Sequence, residues 1–349
     1  MVGGDFKDSI IHLGNEKQIS KSGGADGMLI KYNIEGECEW GINIGGYSND
    51  YITSIAETED GGYLVGGYFD SSSINLGNGK QINNQGNYDG MLIKYNIEGE
   101  CEWGINIAGI SNDRIVSVAE APDGGYIVGG YFSSGSINLG NGKQISNQGD
   151  NDGMIIKYSK EGECEWGTSI GGSSDDRINS VTETEDGGCL IGGHFNSSRI
   201  DLGNGKQLSN HSSYSDAMLI KYNVDGKCEW GLSIGDNSIE RINSVAKTED
   251  GGYLVGGYFG SNSINLGNGK QIVNYGSSNY YSSDSDGMII KYNREGECEW
   301  GMSIGGSSSD YIQSVTEAED GGYVLGGYFR NSNIDLGNGI EIINHNNED

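Results

Sequence analysis

Proline occurs once in 349 residues and histidine four times, and basic side chains are scarce, with 21 lysines and arginines against 50 aspartates and glutamates. The resulting net charge of −29 repels phosphate backbones and anionic headgroups, so nucleic acid and membrane surfaces are poor partners. No apolar run approaches the length of a membrane-crossing helix, and Met1 is followed by VGGDF rather than by a basic and then apolar leader. Helical periodicity is absent throughout, which removes a phosphate loop opening a helix. Neither a Ser/His/Asp nor a Cys/His arrangement stands out, so no cofactor and no enzymatic centre are expected. Six cysteines would suffice for three disulfides, yet Cys38, Cys101, Cys164, Cys228 and Cys298 occupy one equivalent position in five repeats, too far apart to pair. They are expected as buried free thiols, with Cys189 standing where other repeats have Tyr63, Tyr126, Tyr253 and Tyr323. The histidines fall at unrelated positions and give zinc no supporting ligands.

What is abundant is glycine, 62 residues, and tyrosine, 21, both regularly spaced. The stretch from Asp89 to Phe132 recurs along the whole chain, and Trp40, Trp103, Trp166, Trp230 and Trp300 mark intervals of 63, 63, 64 and 70 residues. A period this long, filled with short β-type runs, points to a propeller or similar array. Each unit reads as four strands. Ile52 to Glu59 alternates imperfectly and stops at Asp60-Gly61-Gly62, a tight hairpin signal leading into Tyr63 to Phe69. Glycines inside a strand weaken it unless another backbone or side chain approaches closely, so Gly66-Gly67 predicts tight sheet packing. Met91 to Asn96 turns through Ile97-Glu98-Gly99-Glu100 into Cys101 to Ile107, where Cys101, Trp103, Ile105 and Ile107 share a face. Between the second and third strands an accessory hairpin turns on Asn-Gly, six times in all, at Ile11, Ile74, Ile137, Ile200, Ile264 and Ile334.

The run from Gly90 through the Ser111-Asn112-Asp113 loop to Phe132 resembles the SBBP-type repeat, a bacterial family named for the seven-bladed β-propeller. It shares the Gly/Asp-rich lead into an apolar strand ending in Lys, the Gly turn, and the hairpin into a Val-Gly-Gly strand. The resemblance spans essentially the whole chain and implies a propeller without particular catalytic residues. The expected fold is therefore all-β, one domain over residues 1–349 with repeat units near 27–89, 90–152, 153–215, 216–286 and 287–349. The chain opens on a second strand, an accessory hairpin and an outer strand pair, and closes on an inner pair and a hairpin. Joining residues 28–44 to 312–329 would complete a fifth blade, so a five-bladed ring is expected, with a segment of a longer array as the alternative.

Loops leaving the fourth strand emerge beside the accessory hairpins, making that face the candidate binding surface. Asp50, Asp113, Asp176, Glu240 and Asp310 are equivalent and are followed by Tyr51, Arg114, Arg177, Arg241 and Tyr311. A carboxylate ring could hold a cation or polar ligand, or each acid could cap a turn or pair with its neighbouring arginine. Lys31, Lys94, Lys157, Lys221 and Lys291 are expected to pair with Glu39, Glu102, Glu165, Glu229 and Glu299 as scaffold. Symmetry breaks at His211 and Tyr214 and in the longest accessory segment, with Tyr275, Tyr280 and Tyr281, residues suited to sugars or protein surfaces. Runs such as Asp284-Ser285-Asp286-Gly287 lack the spacing of a calcium loop, so no metal is expected. The functional expectation is a non-enzymatic module binding carbohydrate or protein. The alternatives are a structural protein that self-assembles rather than staying monomeric, and a hydrolase or lyase in a central channel. Glycine-rich repeats suit a bacterial surface, whereas unpaired thiols suit a reducing compartment such as the cytoplasm.

Overall fold

The computed structural model describes residues 1–276, 278–279, 282–330, 333–336 and 340–343. They fall into two compact units, Met1–Ser169 and Ile170–Asp349. Every regular element among the described residues is a β-strand.

The repeating body is a four-stranded antiparallel sheet. In its first complete copy Asp50–Glu57, Tyr63–Phe69, Asp89–Tyr95 and Cys101–Ile107 lie side by side in chain order, and residues 113–170, 176–234 and 240–304 repeat the arrangement. Local chemistry places the turns. Gly61 sits at φ +78, which only glycine adopts without strain, and closes the first hairpin with Thr58 N–H donating to the Gly62 carbonyl. Each accessory hairpin whose turn is described runs through two residues of positive φ, Asn78 at 52° and Gly79 at 71° in the first complete copy, as a type I′ turn requires. The hairpins lie on the end of the sheet where the fourth strand leaves, and Gly45 bridges to Asn75 there.

The imperfect alternation of the first strand has a definite cause. Ile52 faces Gly67 while Ser54 faces Gly66, so Thr53 is an inserted bulge residue without a partner across the ladder. The bulge frees its side chain to reach the next sheet, where Thr53 Oγ1 donates to the Ile115 carbonyl at 2.8 Å. Asn179 and Asn243 make the same bond to Ile242 and Ile312. Sheets stack face to face through the glycine pair, as expected. A Cβ on Gly66 would lie 2.6 Å from Val118 Cγ1, and one on Gly256 would lie 2.3 Å from Val315 Cγ1. Tryptophan links successive repeats as well, with the Trp40 ring against Gly99 and its indole N–H donating to the Ile97 carbonyl.

The chain ends correct one expectation. Asp26–Tyr32 was to receive Tyr323–Phe329 along its free side, but Val2–Phe6 lies there instead, in the register a second strand uses. Val2 faces Ile30 as Val65 faces Ile93, so this sheet has three strands, completed by Cys38–Ile44. Tyr323–Phe329 pairs with Asp310–Glu317 alone among the described residues, and most of it is exposed. All six cysteines are buried and outside disulfides, and burial pushes Cys101, Cys164 and Cys228 up to about 11.

Candidate functional site

The five equivalent acids open the first strands, where their side chains turn inward. Asp50, Asp113, Asp176 and Glu240 are fully buried and Asp310 nearly so, as the turn-capping alternative requires. Asp50 accepts from Gly46 N–H at 2.8 Å and from both the N–H and the hydroxyl of Ser71, at 3.2 and 2.7 Å. Asp113 repeats the set with Gly109 and Ser134, and Asp176 with Gly172 and Ser197. Turn capping is thus what these carboxylates do. Burial still raises the carboxyls of Asp50, Asp113, Asp176 and Glu240, with these hydrogen bonds opposing it.

The residues that follow them point outward and find partners that sequence reasoning missed. Tyr51 stands opposite Tyr68, Arg114 opposite Tyr131, Arg177 opposite His194, Arg241 opposite Tyr258 and Tyr311 opposite Tyr328. In the first unit they gather around Arg114. Its guanidinium carbon lies 4.5 Å from the Tyr68 ring centroid, 5.1 Å from Tyr88 and 6.0 Å from Tyr131. Tyr51 packs on Tyr68 at 5.0 Å, and Tyr68 meets Tyr88 edge-on at 5.4 Å. Arg114 Nη1 donates to the Tyr131 hydroxyl at 3.3 Å, while its buried Nε–H has no acceptor. The second unit carries a related group, with Tyr311 between Tyr258 at 4.5 Å and Tyr328 at 4.9 Å. The buried Nε of Arg241, opposite Tyr258, is likewise without an acceptor. The third pair differs, since His194 is buried and Arg177 bonds Asp175 at 2.9 Å. Tyr214 and Tyr275 are exposed and take no part in the ring contacts described above, and Tyr280 and Tyr281 lie outside the described residues.

The lysines are scaffold, with a second partner. Lys94 meets Glu102 at 3.2 Å as expected, and also Asp60 of the hairpin turn at 2.9 Å. Lys31 and Lys291 meet Glu39 and Glu299 at 3.1 Å, Lys221 pairs with both Glu229 and Asp186, and Lys157 meets Asp123. The turn aspartate therefore closes the hairpin and neutralises a buried ammonium at once.

No protein-family profile matches this chain, so the SBBP resemblance is without a family assignment. An uncharacterised WD repeat-containing protein, L264, of Acanthamoeba polyphaga mimivirus is 26% identical over 319 residues, which cover 80% of this chain and 22% of that protein. The chain thus spans about a fifth of that relative's length. Among solved structures, the WD40 domain of Neurospora crassa Pan2 aligns with 78% of this chain and 85% of its own at 8% identity and a TM-score of 0.30. Sqt1 from Chaetomium thermophilum aligns with 82% and 80% at 12% identity and 0.32. Bacillus licheniformis rhamnogalacturonan lyase PL11 aligns with 98% and 71% at 13% identity and 0.34. Scores this low leave the number of sheets and their closure to the chain's own topology.

Proposed function

We propose that the protein is a non-enzymatic binding scaffold of propeller type that recognises a carbohydrate or protein chain through its tyrosine and arginine clusters. The observation that carries this reading is Arg114, half-buried with its guanidinium held over Tyr68 and Tyr88. A guanidinium among aromatic rings suits a hydroxyl-rich or carbonyl-rich ligand, because a ring stacks on the ligand's apolar side while the cation attracts its oxygens. A related group around Tyr311 in the second unit gives a repetitive ligand a second point of attachment, and avidity then follows without tight single sites.

Glycan-array and immobilised-protein binding by the intact chain tests the reading. Arg114→Ala combined with Tyr88→Ala is expected to lower binding at least tenfold while the melting temperature stays near that of the parent. A parent that binds no glycan or protein polymer, or a double variant that binds equally well, overturns it.

A second reading, a structural protein that assembles with itself, is favoured by the exposed and singly paired strand Tyr323–Phe329. Light scattering at high concentration separates the two, because a strict monomer excludes self-assembly.

A further inference from the structure

The end of each fourth strand is where the following accessory hairpin docks. Asn75 N–H donates to the Gly45 carbonyl at 3.3 Å, Asn138 N–H to Ala108 at 2.9 Å and Asp201 N–H to Gly171 at 3.3 Å, each contact forming a β-bridge. The next residue in these three joins is glycine, Gly46, Gly109 and Gly172. The hairpin backbone passes directly over it, so that a Cβ would lie 2.3, 2.3 and 2.4 Å from the carbonyl oxygens of Ser73, Ser136 and Arg199. The fourth join breaks the rule. Asp236 stands where glycine is needed, and among the described residues the Asn265 N–H makes no bridge to the Gly235 carbonyl.

A cleft of about 220 Å³ occupies the place of that bridge. It lies between Cys228–Ile234 and Ser263–Gly267, lined by Leu232, Ser233, Gly235, Asn265 and Leu266 together with the half-exposed ring of His211. His211 is itself a departure. Ser22, Gln85, Gln148 and Tyr275 hold its place in the other copies, and all five residues donate a backbone N–H to the acid that opens the third strand. His211 Nδ1 and the Ser233 hydroxyl both bond Asp216 Oδ2, which fixes the ring at the cleft wall. A carboxylate only accepts, so in the neutral imidazole Nδ1 carries the proton and Nε2 keeps a lone pair.

We propose that this cleft binds one neutral sugar ring. The Gly235 carbonyl accepts and the Asn265 N–H donates, and a hydroxyl, which does both, takes the place of the missing bridge. A second hydroxyl donates to His211 Nε2, while the C–H face of the ring lies on Leu232 and Leu266, the combination of apolar wall and few polar groups that orients a small ligand. Among the described residues no carboxylate lines the cleft to hold a cation, and buried Asp216 behind Ser233 and His211 disfavours an anion. None of the tyrosines and arginines of the proposed function lines it, so the site is additional to theirs.

Saturation-transfer NMR of the intact chain with millimolar glucose, galactose, mannose and fucose tests the assignment. At least one of these sugars should receive saturation from the parent. His211→Gln, which installs the residue of two other copies, should weaken its binding by about tenfold. Asp236→Gly restores the glycine of the three bridged joins, so the hairpin should close on Gly235 and the transfer should disappear. In that variant hydrogen exchange at the Asn265 amide should also slow by about tenfold or more, a readout that needs no ligand. Failure of all these sugars to bind the parent overturns the proposal, as does an Asp236→Gly chain that binds as well as the parent. An Asn265 amide that exchanges equally fast in both chains overturns it too, because the cleft would then not owe its opening to Asp236.

Discussion

At the scale of single residues, buried carboxylates and the exposed carboxylates of the hairpin turns oppose each other in pH. Burial lifts Asp176 and Asp286 to about 6, against their hydrogen bonds. Hydrogen bonds from Thr248 and Lys291 hold Asp250 at about 2, and burial at Asp60 is outweighed by Thr58 and Lys94, which hold it at about 2 as well. A carboxyl with a raised folded pKa weakens the fold above that value, and the penalty fades as pH falls toward the unfolded value near about 4. A carboxyl with a depressed pKa stabilises the fold above about 4 and loses that contribution as pH falls toward 2. Acidification also relieves the repulsion of a net charge of −29. The melting temperature is therefore expected to rise from pH 7.5 to a maximum between about 4 and 5 and to fall below it. A melting temperature that declines steadily from neutral pH would contradict this balance.

At the scale of the element, the bulge in the first strand does two things that neither strand alone predicts. It sends Thr53, Asn179 and Asn243 across to the next sheet, and it shifts the ladder by one residue between Ile52 and Ser54. Counted outward from the Asp-Gly hairpin without a bulge, Tyr51 would face Phe69. With it, Tyr51 faces Tyr68 and Arg114 faces Tyr131, so the aromatic cluster exists because of the inserted residue. The glycine pair gives a matched experiment. Gly66→Ala drives a Cβ within 2.6 Å of Val118 and is expected to cost about 2 kcal/mol in chemical unfolding. Gly326→Ala occupies the equivalent place in the last strand pair, where a Cβ meets nothing within 4 Å, and should change stability by less than about 1 kcal/mol. Equal losses at both positions would mean that the strand conformation, and not the packed neighbour, requires glycine.

At the scale of the whole molecule, stacking spreads protection unevenly over strands of nearly identical sequence. Tyr253–Phe259 is paired on both sides and mostly buried, whereas Tyr323–Phe329 is paired on one side and largely exposed. Hydrogen exchange of the intact chain should therefore protect 253–259 far longer than 323–329, by at least tenfold in rate. Equal protection would show that another strand covers the last one in solution, the arrangement a closed ring or an assembled array requires. The three-stranded sheet has Val2–Phe6 beside Asp26–Tyr32 in the place of a second strand, and among the described residues no first strand pairs with its other side.

Most of the architecture was legible from the chain itself. The strand from Tyr63 to Phe69, the strand from Cys101 to Ile107, the Asn-Gly accessory hairpins, the tight approach at Gly66 and the free thiols all followed from residue order. Each depends on local conformation, alternation or repeat position, and those are written in neighbouring residues. What the tertiary structure alone decided is which distant side chains meet. Asp60 reaches Lys94, Arg114 settles among Tyr68, Tyr88 and Tyr131, and the capping acids Asp50 and Glu240 take Ser71 and Ser261 as partners. These contacts join residues a sheet or a repeat apart, and they depend on register, one bulge and sheet stacking, quantities that no single stretch of sequence contains.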